Sequence, residues 1–250
     1  MKTVLLGDVG RVITGKTPPR ANPEYWGEEL DFITPTDFLE DSRFIRPARK
    51  LSQEGLSRMQ NLLCPENSVM VTCIGSDMGK TALTKAPAIT NQQINTLVVD
   101  ENSFDPAFIY YLLKLNRPLL RKYAESGGST MPIINKSTFE KLEFLIPDKH
   151  EQVKIAKFLG FIDERIELKR RMNETLEQIG QALFKRYFIE NPESKTWPKG
   201  KISDLGIVIT GKTPSKAKTE YFGGDLLFLK VPDMHGQSIV IKTNDSLTEE

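Results

Sequence analysis

Few residues in this chain have the type and spacing that chemistry requires. Gly10, Gly15, Lys16 and Thr17 fit the pattern G-x-x-x-x-G-K-[ST], and Gly206, Gly211, Lys212 and Thr213 fit it again. Such a loop holds phosphates only when it runs from a strand into a helix whose first amides face the anion. Here Pro18, Pro19 and Pro23 remove donors just where that helix would begin, and Val12 and Ile13 suit a pleated strand. A P-loop nucleotide hydrolase is therefore kept only as the alternative reading. His150 and His235 are the only histidines, far apart and beside no nucleophile, so no Ser–His–Asp or Cys–His arrangement is expected. Cys64 and Cys73, nine positions apart without neighbouring histidines, are too few for zinc and read as buried reduced thiols. Glu28 with Glu29 and Glu40 with Asp41 read as solvated faces. No catalytic residue and no metal site is expected.

What remains is polar and basic material between predicted strands. Lys16, Thr17 and Arg20 recur in character as Lys212, Thr213 and Lys216. Arg43, Arg46 and Arg49 form a basic cluster, and Lys80 ends a loop bounded by Gly75 and Gly79. Gln92, Gln93 and Asn95 carry amides that could pair bidentately with base edges, while Lys and Arg could neutralise phosphates. Ser129, Thr130 and Lys136 could join them from a Gly-Ser-rich loop and the helical turn after it. Singly, each is an ordinary solvated side chain; together they make a candidate DNA reader. Residues 22–25, Asn-Pro-Glu-Tyr, resemble the Asn-Pro-Pro-Tyr signature of adenine methyltransferases. The second proline is missing and no glycine-rich cofactor loop follows a strand, so methyl transfer by this chain is set aside.

These residues need strands and helices to position them. Periodicity and turn signals predict strands over 9–13, 30–34, 68–74, 81–85, 96–99 and 142–146, and helices over 55–63, 106–113 and 136–140, with a kink or break at Pro118. The segment 6–37 recurs 196 positions later at 202–233 with about half its residues identical; 12–18 and 208–214 are the same outright. Between the copies, 148–190 reads as one helix without internal proline, on the order of 60 Å long. Ile155, Leu159, Ile162, Ile166, Met172, Leu176, Ile179, Leu183 and Tyr187 follow in steps of three and four, a coiled-coil seam interrupted only at Lys169. Residues 191–200 read as a proline-bearing linker. The second copy stops at Glu250, short of the length of the first. The expected class is α+β: a globular mixed-sheet module over 1–147, a long coiled-coil spacer helix over 148–190, and the start of a duplicated second module over 201–250. That last segment is expected to be poorly ordered or to compete with residues 5–54 for one sheet.

Composition sets the bounds. The chain has 250 residues, 39% hydrophobic and 27% charged, with a net charge of +1, so a DNA-binding face must come from local patches. No apolar run is long enough to cross a membrane and the N-terminus does not read as a signal peptide, which points to the cytoplasm.

The whole pattern resembles the specificity subunit of Type I restriction–modification systems, truncated within its second recognition domain. The likeness rests on the repeated 12–18 and 208–214 motif, on 74–80 and 91–95, and on 146–152, Ile-Pro-Asp-Lys-His-Glu-Gln, running into the long helix. It implies a non-catalytic protein whose recognition domain reads half of a split double-stranded DNA target, with helices holding the halves apart. It also implies methyltransferase and restriction subunits as partners, with S-adenosylmethionine, ATP and Mg carried by them and no cofactor on this chain. In a full subunit two spacer helices pack together. The 155–187 seam here lacks that partner in cis, so the expectation is self-association through the helix, docking onto methyltransferase subunits alone, or a chain that is a fragment of a longer protein. An adaptor that recruits partners without reading DNA is the remaining alternative.

Overall fold

A computed structural model describes residues 1–19, 21–39, 42–75, 77–125, 133–215, 217–235 and 239–249. The chain resolves into two compact units, Met1–Leu183 and Phe184–Glu250.

In the first unit, β1 (Lys2–Leu5) leads through the short helix α1 (Leu6–Val9) into β2 (Gly10–Thr14). β3 (Trp26–Gly27), β4 (Leu30–Ile33) and β5 (Arg49–Leu51) follow, then α2 (Gln53–Met59), capped by the Ser52 hydroxyl accepting from the Gly55 N–H. β6 (Val69–Thr72), β7 (Thr81–Leu83), β8 (Ala88–Thr90) and β9 (Ile94–Val99) complete two four-stranded sheets. One has the order β2-β9-β6-β7, antiparallel throughout; the other is β3-β5-β4-β8, with β4 and β8 parallel. β9 is paired on both edges, by β2 and β6, and five of its six side chains are buried, the polar Asn95 and Thr96 among them. The Gly10 that begins β2 is required by close approach, since a Cβ there would sit 2.1 Å from the Val98 carbonyl oxygen.

Helix α3 (Pro106–Leu115) starts where Asp105 accepts from the Phe108 N–H and Pro106 occupies the first position, and it buries Phe108, Ile109, Tyr110 and Leu113 against the antiparallel sheet. Of the kink or break expected at Pro118, the chain takes a break. Asn116 caps α3, and α4 (Arg117–Glu125) begins afresh with Pro118 in its first turn. α5 (Lys136–Glu140) and β10 (Glu143–Ile146) follow, β10 pairing antiparallel with β1. Strands β1, β3, β5 and β8 are short, of two to four residues, and are not predicted from the sequence.

The long helix α6 (Lys149–Phe184) runs 36 residues, about 54 Å at the α-helical rise. Asp148 starts it by accepting from the Glu151 N–H at 3.1 Å, a bond that holds its carboxyl below the ordinary aspartate value. Helix α6 packs on the first unit with small and polar side chains: Gln152, Ala156 and Gly160, one turn apart, are its buried residues. The Gln152 amide accepts from the Asp105 N–H at 3.0 Å and donates to the Pro147 carbonyl at 2.9 Å. Further along, the Tyr111 hydroxyl donates to Asp163 at 2.7 Å, and Arg43 and Arg46 reach Glu164 and Glu167 at 3.8 and 3.5 Å. The predicted seam is half-buried at Leu159 and exposed at its other positions: Ile166 is 42% and Leu176 61% accessible.

The second unit opens with a π-helical turn over Lys185–Ile189 that stacks Phe184 on Phe188, with Trp197 edge-on to Phe188. Its ribbon consists of β11 (Phe222–Phe228) and β12 (Asp245–Leu247). The local structure recurs with the sequence. The pairs Leu30–Leu51 and Phe32–Arg49 reappear as Leu226–Leu247 and Phe228–Asp245. The Asp37 carboxylate accepting from the Thr34 and Ala48 N–H groups reappears as Asp233 accepting from Lys230 and Asn244. The Ser52 hydroxyl on the Glu24 carbonyl reappears as Thr248 on Glu220. What recurs is a ribbon with its turns rather than a domain with a core, for Asp233 is the one buried side chain among the described residues of 201–249. The counterpart of β2 forms no strand, and Ile207 is 92% exposed.

Candidate nucleic-acid interface

The topology brings the predicted reading loops to one end of the antiparallel sheet. β2 ends at Thr14, β9 begins at Ile94, β6 ends at Thr72 and β7 begins at Thr81. The segments 15–19, 73–80 and 91–93 therefore emerge side by side, and the parallel pair β4 and β8 ends there too, with the Asn91 N–H on the Ile33 carbonyl at 2.9 Å.

Each segment is shaped by a few bonds. Gly15 passes so close to β8 that a Cβ would fall 2.0 Å from the Thr90 carbonyl oxygen, and the Lys16 N–H then bonds that oxygen at 2.9 Å, leaving the lysine side chain exposed. Gly10 to Thr14 is thus paired strand, and no helix follows Thr17 through Pro19, so the phosphate-loop geometry is absent there. In the turn 91–93 the Asn91 carboxamide accepts from the Gln93 N–H at 3.0 Å and donates to Gln93 Oε1 at 3.1 Å. The Thr17 N–H and hydroxyl both donate to Gln92 Oε1, at 3.2 and 2.7 Å. Loop 73–80 turns on Gly75 and Gly79, with φ of +84° and +77°, and anchors itself by burying Met78. The Thr72 hydroxyl closes its neck by donating to the Asp77 carbonyl at 2.6 Å.

Of the predicted DNA-contacting residues, Lys16, Thr17, Gln92 and Gln93 share this end, with Gln92 exposed and Thr17 and Gln93 half-buried. Lys80 is there too, its amine paired with Asp77 at 2.8 Å. Lys136 starts α5 two residues beyond Ile134, which bonds the Cys73 carbonyl; its amine is 3.7 Å from Glu140. Arg20, Ser129 and Thr130 lie outside the described residues. Asn95 must be corrected. It is 2% exposed, accepting from Thr14 Oγ1 at 2.7 Å and donating to the Ile134 carbonyl at 3.2 Å and to Cys73 Sγ, so its amide holds the sheet end together and is spent before any base arrives. The basic cluster is likewise reassigned. Arg43 and Arg46 pair with α6, and Arg49 lies over the Trp26 ring at 4.9 Å.

Sequence reasoning missed Arg117 and Arg121. Both Nε groups donate to the Met78 carbonyl, at 3.1 and 3.4 Å, which attaches α4 to loop 73–80 and adds two guanidinium groups to this end. Their i,i+4 spacing on a helix was a readable signal of a shared face; the loop beneath them was not. Among the described residues no cluster of His, Cys, Asp and Glu could hold a metal ion, and no helix is long and apolar enough to cross a membrane.

The chain was compared with known proteins. A family model described as the Type I restriction modification DNA specificity domain matches residues 1–178. The MjaIX specificity subunit of Methanocaldococcus jannaschii is 29% identical over 263 residues, covering 97% of this chain and 60% of the relative. The HindI specificity subunit of Haemophilus influenzae is 29% identical over 216 residues, covering 57% of this chain and 47% of the relative. The chain therefore spans 60% or less of the length of these curated relatives. Among solved structures, the S subunit of a Type I restriction–modification system from M. genitalium superposes with a TM-score of 0.57 at 18% identity, over 78% of this chain and 47% of that one. A chain from a study of complex assembly and conformational transition in the type I R-M system gives 0.52 at 21%, over 72% and 43%. The family match takes in both four-stranded sheets, every described loop at the reading end and most of α6, and on that extent the chain belongs to the family of Type I restriction modification DNA specificity domains.

Proposed function

We propose that this chain supplies the DNA sequence specificity of a Type I restriction–modification assembly, its 1–147 module reading one half of a split target. The observation that carries this reading is the convergence of Lys16, Gln92, Gln93, loop 73–80, Arg117 and Arg121 on one end of a sheet. It offers cations for phosphates and amides for base edges at the same surface. The chain performs no chemistry itself. Methyltransferase and restriction subunits carry S-adenosylmethionine, ATP and Mg, and α6 is the rod on which they assemble. At about 54 Å the helix exceeds one turn of B-DNA, roughly 34 Å, which suits a spacer between half-sites.

The exposed seam of α6 supports a second part of the reading. Ile155, Leu159, Ile162, Ile166, Leu176, Ile179 and Leu183 close on the same helix of a second copy, which would present two equivalent reading ends to a palindromic split site. Co-expression with methyltransferase subunits, followed by mapping of methylated adenines, tests the function: one bipartite motif is expected. Affinity should also fall steeply with salt, by about 0.9 log units per log unit of salt for each phosphate neutralised. Sequence-blind or salt-insensitive association would point instead to an adaptor. Sedimentation of the chain alone tests the pairing, and a stable monomer at micromolar concentration would overturn it.

A further inference from the structure

Gln92 is restricted in what it can recognise. Its Oε1 accepts from both the N–H and the hydroxyl of Thr17, at 3.2 and 2.7 Å. The assignment of oxygen and nitrogen in this carboxamide is chemically forced, because a backbone N–H only donates and the atom facing it must be the acceptor. Both lone pairs of Oε1 are then used, and among the described residues no hydrogen bond uses Nε2. The same logic extends to Gln93. Asn91 Oδ1 must face the Gln93 N–H, so Asn91 Nδ2 must be the group donating to Gln93 Oε1. Two adjacent glutamines thus have their oxygens engaged within the protein and their –NH2 groups uncommitted.

We infer that Gln92 is a donor-only probe, oriented by Thr17, that specifies guanine in the half-site. Bidentate recognition of adenine by glutamine needs the amide oxygen to accept from N6 while the –NH2 donates to N7. The first of those bonds is unavailable here. Guanine presents O6 and N7 in the major groove, two acceptors side by side, and matches an –NH2 with two hydrogens to give. Thymine offers one acceptor beside a methyl group, and cytosine offers a donor that would be set against a donor. Thr17 is the positioning residue, acting through Gln92.

This inference rests on the DNA-reading function proposed above. The test selects bound duplexes from a randomised pool, using the full chain assembled with methyltransferase subunits, for the wild type and for Gln92→Ala and Thr17→Val. The wild-type motif should contain a guanine at a position that Gln92→Ala relaxes by about five- to tenfold, other positions staying unchanged. At that position, a guanine analogue carrying C–H in place of N7 should weaken the wild type and leave Gln92→Ala unaffected. Thr17→Val returns one lone pair to Oε1, so adenine should become tolerated beside guanine. A structural role for Gln92 would instead lower binding to every sequence alike. The inference is overturned if Gln92→Ala leaves the motif unchanged, if the relaxed position specifies another base, or if the N7 analogue binds as well as guanine. A wild type that selects no motif at all overturns the DNA-reading function along with it.

Discussion

Gln92 and Asn95 stand three positions apart in one polar run and do opposite work. Gln92 is exposed and held by its oxygen alone, while Asn95 is enclosed and held at both ends. Asn95→Ala should therefore cost about 2 kcal/mol in chemical denaturation, because it leaves the Ile134 carbonyl and the Thr14 hydroxyl inside without their partner, while the selected DNA motif stays the same. Gln92→Ala should leave stability within about 0.5 kcal/mol and change the motif. Gly15→Ala should be worse than either for folding, about 2–3 kcal/mol, since the added methyl meets the Thr90 carbonyl, which is backbone and cannot turn aside. The free thiols give a further check. Burial pushes Cys64 up to about 11 and Cys73 up to about 12, the latter against hydrogen bonds from Asn95. Neither should be alkylated by iodoacetamide at pH 8 until the chain is unfolded. Because the folded pKa values are raised, the associated stability is fully present below the ordinary thiol value of about 8.5 and is lost as pH rises through the folded values.

Among the elements, α6 uses two chemistries. The inward face has small or amide-bearing residues at Gln152, Ala156 and Gly160, with Gln152 bonded to the Asp105 N–H and Gly160 beside the Arg43 guanidinium, and the remaining length carries the largely exposed seam. The Glu-Gln pair at the helix start now has a physical account. Gln152 ties the first turn of α6 both to the Asp105 N–H that opens α3 and to the Pro147 carbonyl at the end of the last strand segment. Gln152→Leu should cost about 1–3 kcal/mol by leaving both of those backbone groups enclosed without a partner. Gly160→Leu should also destabilise, since a Cβ at Gly160 already falls 2.8 Å from Arg43 Nη1. Gly160→Ala should cost less than Leu, because a guanidinium at the end of a flexible side chain can move. Urea unfolding midpoints would rank the three. Tyr111 belongs to the same contact, its hydroxyl pushed to higher pKa by burial and by the Asp163 carboxylate that accepts its hydrogen bond.

For the whole molecule, the seam and the repeat set the expectations. Leu176→Glu with Ile179→Glu places like charges on the exposed stripe and should turn a sedimenting dimer into a monomer while the 1–147 module keeps its unfolding midpoint. The sequence by itself determined what short-range physics controls. The 196-residue offset carried over to the backbone, down to Asp233 accepting from the Lys230 N–H as Asp37 does from that of Thr34, because a capped turn is fixed by residues three or four apart. The long helix was legible from an unbroken stretch without proline, and α5 from its Asn135 cap. Tertiary structure decided the rest. Whether an amide stays exposed or braces a sheet depends on partners far away in the chain: Gln92 meets Thr17 across 75 residues, and Asn95 meets Thr14 across 81. Which face of α6 turns inward, and that Arg43 and Arg46 answer its glutamates, depend on how helix and sheet pack. A local polar pattern cannot distinguish a side chain that water will solvate from one that distant strands will enclose, since desolvation is a property of the assembled fold.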